Sequence, residues 1–346
     1  MSAESRVARA GPALIAERLP AWLEDRLPGD GPVTITSLTR PGSGLSGGTL
    51  LVDAQRGDTE LRLVLRVPPP DGDGVFPYCD LRHEALVQET LRSEGVPVAP
   101  SVGIEENPGI LGAPFAVTGR VDGLLLDSSD PYLSRGWLHD ASPDVQMHLG
   151  KSFMGVLAAI HTADRSGVFG DTSEAWTNEA ALKRWTGYLE WAGAEAAPDL
   201  LHEAFTWCSR NVPAAKVRPS LLWGDAQLAN AVYSDDGTIA AVLDFELASA
   251  GPAELDLGWF FCLHDMTVAR CGEDLPGFSD RAALTAHYED RLGRDTEDLA
   301  WYEIFGAACT ASILVRMASL FSRDGTDLSW LARSNPAIDY LRSKIS

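Results

Sequence analysis

Asp225 and Asn230 stand five residues apart in the stretch Trp223-Gly-Asp-Ala-Gln-Leu-Ala-Asn230, and a second carboxylate, Asp244, closes the apolar run Ala240-Ala-Val-Leu-Asp-Phe245. Residues 231–234 and 239–243 are strand-like, and Asp235-Asp-Gly-Thr238 between them is a strong hairpin turn. A hairpin centred between Asp236 and Gly237 pairs positions whose numbers sum to 473, which sets Asp244 opposite Ala229, one residue from Asn230. Asp225 lies just before the hairpin, so two carboxylates and an amide can converge. Hard oxygen donors of this kind suit Mg²⁺, which commonly binds substrate phosphates as well. A separate carboxylate can accept a hydroxyl proton. Together they fit phosphoryl transfer to an alcohol, which is mainly positioning plus charge neutralisation. Each Asp or Asn taken singly reads as a turn residue at a strand end; the combination is much rarer.

The elements around these residues divide by period. Residues 12–27 read as a helix with Leu14, Ile15, Leu19, Leu23 and Leu27 near four-residue steps, and Pro20 starts or kinks a second piece. Residues 33–67 read as three antiparallel strands, interrupted by the glycine-rich stretch Pro41-Gly-Ser-Gly-Leu-Ser-Gly-Gly48. Pro68-Pro-Pro-Asp-Gly-Asp-Gly74 is loop, residues 80–94 form a helix capped by Gly95, and 98–104 and 114–121 are strand-like. Helices are expected at about 142–163, 178–192, 199–210, 279–292 and 297–322, with one β interruption at 220–247. A β-rich first third and a helix-rich remainder suggest two lobes with a boundary near residue 120.

On the β-rich side, a glycine-rich hairpin lets backbone N–H groups approach phosphates, although alone it reads as an ordinary turn. Arg66 ends the third strand and can grip a phosphate bidentately, with Arg62 on the same face as its competitor. Glu84 sits beside the helical stripe of Val87 and Leu91. An inward carboxylate there needs a partner, and Arg66 is a sensible one.

WGDAQLAN and AVLDFELASAGPAELDLGWFF resemble the catalytic loop and metal strand of the aminoglycoside phosphotransferases, within the broader set of kinase-like small-molecule phosphotransferases. The nearest branch opens its catalytic loop with WGD rather than HGD and continues to an LDWE-like segment. The resemblance extends from about residue 30 to 330 and is clearest at 42–123 and 220–261. It implies an α+β, bilobal, protein-kinase-like fold: a small β-rich nucleotide-binding lobe over 1–119 with one main helix, and a larger helical catalytic and substrate lobe over 120–346. It implies Asp225 as catalytic base, Asn230 and Asp244 as Mg²⁺ ligands, and Asp256 as a brace of the catalytic loop through backbone N–H groups. It implies ATP, with GTP open, held by a phosphate-covering loop that includes Ser46 and Gly47, by Arg66 with Glu84, and by hinge backbone around Thr118 and Arg120. Departures are Trp223 where many relatives have His, and Phe245 where the nearest branch has Trp. Trp223 is expected to pack beneath the loop. His161, after Leu157 and Ile160, reads as core-facing and hydrogen-bonded rather than catalytic.

The expected acceptor is the hydroxyl of a small molecule: an aminoglycoside by the resemblance, or an amino alcohol, sugar, macrolide or hydroxyacyl thioester. Glu246, His264 and Asp265 are candidates to face it, each weighed against a solvated or surface role. Trp176, Trp185 and Trp191 read as helix-packing residues. A catalytically silent nucleotide-binding regulator would not need Asp225, and a simple Mg-dependent hydrolase would not need an ATP cradle. No segment ending in an APE-like motif points to a protein kinase.

Composition narrows the field further. Lys and Arg number 28 against 49 Asp and Glu, a formal charge of −21, which opposes a nucleic-acid binder and an anionic membrane surface. At 346 residues with 45% hydrophobic content, the chain suits about two globular domains. Five cysteines without a CxxC pair suggest neither zinc nor a disulfide framework, and a reducing cytoplasm fits. No signal peptide is visible and no membrane-spanning helix is expected. The oligomeric state is open.

Overall fold

Alternating burial makes strands of the first third. The computed structural model describes residues 11–41, 48–127, 131–170, 177–214, 219–323 and 327–345. In β2 (Thr49–Arg56) Leu50, Val52 and Ala54 are buried between half-buried neighbours, and in β3 (Thr59–Arg66) Leu63 and Leu65 are. With β1 (Val33–Thr39), β4 (Ser101–Glu105) and β5 (Phe115–Gly119) they form an antiparallel sheet in the order β1-β2-β3-β5-β4. The helix α1 (Pro12–Glu24) keeps Pro20 inside it and buries Ile15, Leu19, Trp22 and Leu23. These four share one apolar core with Val52, Leu65, Phe115 and Val117 of the sheet. The helix α2 (Leu81–Ser93) carries Glu84 in its first turn.

The chain separates into two compact units: one runs up to Glu89 and includes Val98–Asp122, the other comprises Thr90–Pro97 and everything from Gly123 onward. Residues 90–97, the end of α2 and the turn after it, thus group with the second unit although they precede residue 120.

The second unit contains α3 (Trp137–Asp140), α4 (Pro143–Thr162), α5 (Ser166–Phe169), α6 (Asn178–Gly193) and α7 (Asp199–Arg210). It then has β6 (Ser220–Leu222), β7 (Ala231–Tyr233), β8 (Ile239–Val242) and β9 (Ser249–Gly251), followed by α8 (Glu254–Cys271), α9 (Arg281–Leu292), α10 (Leu299–Arg323) and α11 (Pro336–Ile345). Helix starts carry their signals. Ser142 accepts from the N–H of Val145 ahead of α4, Thr177 from Ala180 ahead of α6, and Asp280 from Ala283 ahead of α9. The strands form two small antiparallel ribbons, β6 with β9 and β7 with β8.

Among the described residues four helices lie outside the expected set, the one-turn α3 and α5 and the longer α8 and α11. In α8 every residue from Asp256 to Cys262 is buried, so no apolar stripe marks it. It packs on α10 so closely that a Cβ on Gly258 would come 2.5 Å from the Cβ of Tyr302. The stretch Leu299–Ser322 of α10 is long and apolar enough to cross a membrane, contrary to expectation, but 67% of its most apolar window is buried within the protein. It is a core helix of its unit.

Candidate active site

The hairpin sets the second unit's site. Ala231 pairs with Val242 and Val232 with Ala241, both summing to 473, before a bulge shifts Tyr233 onto Ile239. The same register continues outward as the N–H of Leu243 donates to the carbonyl of Asn230 at 2.8 Å. Asn230 therefore lies opposite Leu243 and beside Asp244, as the turn chemistry implied. Asp244 adopts φ = 59°, left-handed backbone that Asp tolerates better than most residues and that clusters at functional sites.

Asp225 is held from several directions. Its Oδ2 accepts from Gln227 Nε2 at 2.7 Å and Asn230 Nδ2 at 2.7 Å, and its Oδ1 from Trp259 Nε1 at 2.9 Å. These donors favour the ionised form. Burial, helped by the negative charge of Asp244, outweighs them and pushes the carboxyl up to about 6. Because a carboxylate can only accept, the NH₂ of Asn230 must face Asp225, which turns its Oδ1 away. Gln227 and Trp259 were not anticipated. Gln227 sits inside the quoted loop motif and was legible in principle; Trp259 lies on α8, where nothing in the spacing announced the contact.

Asp256, 2% exposed, ties the loop to the core. Its Oδ2 accepts from the N–H of Trp223 at 2.6 Å and its Oδ1 from the N–H of Gly224 at 3.0 Å. His161 lies 3.0 Å from Asp256 Oδ2 through Nε2, and its Nδ1 is 2.6 Å from the Tyr288 hydroxyl. The carboxylate accepts, so Nε2 carries a proton, and Nδ1 faces the Tyr288 hydroxyl. His161 is thus buried and hydrogen-bonded within the core. Gly224 has φ = 88°, and a Cβ there would lie 2.2 Å from the carbonyl oxygen of Leu247; only glycine lets the loop pass so close. Trp223 is fully buried against Phe153, its indole N–H donating to the carbonyl of Leu243 at 2.9 Å.

In the first unit Arg66 forms an ion pair with Glu84, which is 5% exposed. The Cys79 thiol joins them, 3.1 Å from Glu84 Oε1. Arg62, the competitor, pairs instead with exposed Asp122. Thr118 lies within β5 opposite Val64 of β3 and Ser101 of β4. Arg120 donates its backbone N–H to the carbonyl of Arg62 at 2.8 Å, and its guanidinium pairs with Asp53. Ser46 and Gly47 lie outside the described residues, as does Trp176.

Of the acceptor-facing candidates, Glu246 is half-buried and its N–H points at Asp244 Oδ1, 3.5 Å away. His264 is 6% exposed rather than on the surface, held between Tyr132 and Asp274. Asp265 turns elsewhere, 3.5 Å from the Arg281 guanidinium and 3.4 Å from the Tyr340 hydroxyl. Trp185 packs against Trp259, and the Arg316 guanidinium lies over the ring of Trp191 at 4.1 Å.

A family model described as the phosphotransferase enzyme family matches residues 37–301. The chain belongs to this family. It is 24% identical over 203 residues to acyl-CoA dehydrogenase family member 10 of Mus musculus, and it spans only 18% of the length of that protein. Solved structures share the fold. A protein of Ralstonia eutropha JMP134, provisionally described as an aminoglycoside phosphotransferase, superposes with TM-score 0.71 at 21% identity over 95% of this chain and 99% of its own. The GDP and kanamycin complex of an APH(2″) enzyme gives 0.57 at 15% over 94% and 97%. Choline kinase of Streptococcus pneumoniae gives 0.56 at 16% over 89% and 94%. The α+β architecture is thus that of kinase-like small-molecule phosphotransferases.

The chemistry of the donor set fits the Mg²⁺ typical of this family. Among the described residues no three His, Cys, Asp or Glu side chains gather as an all-protein metal cage. Mg²⁺ does not ask for one: it takes one or two carboxylates and completes its shell with water and substrate phosphate. Asn230 Oδ1, turned from Asp225, and the Asp244 carboxylate are hard oxygens of that kind.

Proposed function

We propose that this phosphotransferase is a Mg-ATP-dependent kinase of a small alcohol, with Asp225 as the group that orients and deprotonates the acceptor hydroxyl. The observation that carries this reading is the Asp225 carboxyl itself. Three donors fix its two oxygens, while burial raises its proton affinity to about 6. Such a group is ionised at neutral pH yet basic enough to take a proton, as a general base requires.

In the transfer step the acceptor oxygen bonds to the γ-phosphorus of ATP. The bond from that phosphorus to the β,γ-bridging oxygen breaks, and its electron pair leaves on ADP. The hydroxyl proton passes to Asp225. Asn230 and Asp244 would hold Mg²⁺, which when bound neutralises phosphate charge. Arg66, aimed by Glu84, would bind phosphate, with Ser46 and Gly47 over the phosphates and the backbone around Thr118 and Arg120 at the base. Asp256 acts through the loop, fixing the successive N–H groups of Trp223 and Gly224 so that Asp225 is presented in one place. ATP is the nucleotide of this reading, and GTP is its direct competitor in the assay. All five cysteines are free thiols, which suits a reducing cytoplasm.

The test is acceptor-dependent ADP release with Mg-ATP over a panel of alcohols, run beside Asp225→Asn. The variant should lose roughly 10²- to 10⁴-fold in kcat while keeping its unfolding midpoint. Full transfer by a folded Asp225→Asn protein would overturn the assignment.

A further inference from the structure

A cavity of about 310 Å³ lies within the second unit, walled by α8, α10 and the start of α11 and bounded on one side by Gln227, Leu228 and Ala229. Gln227 links it to the proposed base, since the side chain that donates to Asp225 belongs to a residue of the cavity wall. The wall is mostly apolar, as in Leu228, Phe260, Met266, Leu314 and Leu331. Although the chain has 49 acidic residues, among the described residues the wall carries one acid, Asp127, and one guanidinium, Arg270.

This lining sets the ligand's chemistry. A polycation buried here would shed water without gaining enough counter-charge, and a polyol would leave hydroxyls unpaired. His264 supplies no spare acceptor: its two nitrogens are 2.7 Å from the Tyr132 hydroxyl and 3.1 Å from Asp274 Oδ1. At roughly 30 Å³ per water-sized group, the space holds on the order of ten non-hydrogen atoms.

We propose that this cavity binds the acceptor by an uncharged, largely apolar body of about ten non-hydrogen atoms. Acceptance of phosphate by that ligand rests on the kinase reading; binding in the cavity does not. Calorimetric titration of the full chain with octanol, the terminal octanediol and kanamycin tests binding, and ADP release with Mg-ATP tests turnover. Both octyl compounds should bind and support ADP release, and kanamycin should do neither. Leu314→Trp and Leu331→Trp, on different elements, should each weaken octanol at least tenfold by filling the space.

Kanamycin turnover that neither tryptophan variant alters would overturn the proposal and leave the kinase reading standing. Octanol binding that both variants abolish, without ADP release from any alcohol, would support the cavity assignment and overturn the acceptor role. Absence of octanol binding would overturn the cavity assignment whatever the turnover data show.

Discussion

Asp225 is pulled two ways. Burial and the negative charge of Asp244 raise its proton affinity; hydrogen bonds from Gln227, Asn230 and Trp259 lower it, and burial prevails at about 6. The sign of a change follows. Asp244→Asn removes a like charge while leaving the burial and the three donors, so the Asp225 titration should move down from about 6 in protein stripped of metal by chelator. Carboxyl NMR of the metal-free protein checks this, and an unmoved or raised titration would show that the two carboxylates do not interact. The residues of this site differ in how legible they are. Asn230 and Asp244 could be brought together from the turn alone, because hairpin register is arithmetic once the turn is placed. The Arg66–Glu84 pair followed from the rule that an inward carboxylate seeks a cation. Trp259 could not be anticipated: a tryptophan in an apolar run reads as core, and its indole N–H carries no sequence signal of where it points.

At the scale of elements, α8 does the positioning, since it supplies both Asp256 to the loop backbone and Trp259 to the base. Its placement depends on Gly258. An added methyl would meet the Cβ of Tyr302 at 2.5 Å and its carbonyl carbon at 2.6 Å, and backbone cannot rotate aside as a flexible side chain can. Gly258→Ala should therefore destabilise by about 1–3 kcal/mol through overpacking, even though alanine is the better helix former. Equilibrium denaturation measures it; a neutral or stabilising effect would mean that the α8–α10 spacing is not fixed at this point. The same crowding explains why α8 was not visible in the sequence. A helix buried on all sides has no polar face, so the 3.6-residue period on which recognition rests is missing. The amphipathic α4, α6 and α7 were readable to within a residue or so because each keeps a wet face. The start of α11 did have a signal: Asn335 precedes Pro336, and its side chain accepts from the N–H of Ile338 at 3.0 Å.

For the whole molecule, charge is the property that composition predicts and no single contact explains. With 49 acidic against 28 basic residues, the acids outnumber the cations by 21, and the mutual repulsion of that excess opposes the compact state. Salt acts on that repulsion and on the favourable ion pairs alike. The exposed pairs, such as Arg62–Asp122 and Arg342–Asp339, are worth about 0–1 kcal/mol each at most, and the part-buried Arg66–Glu84 pair is screened less. The unpaired excess extends over the surface, where shortening the Debye length from about 30 Å at 0.01 M to about 8 Å at 0.15 M removes most of the interaction between neighbours. Repulsion should therefore lose more than attraction does, and the melting temperature should rise by a few degrees across that range in sodium chloride without magnesium. A fall on adding salt would show that the ion pairs, not the net charge, govern the stability of this chain. The cavity beside the Asp225 loop would then be all the more exceptional, because among the described residues its wall carries one acid and one guanidinium in a molecule otherwise so strongly acidic.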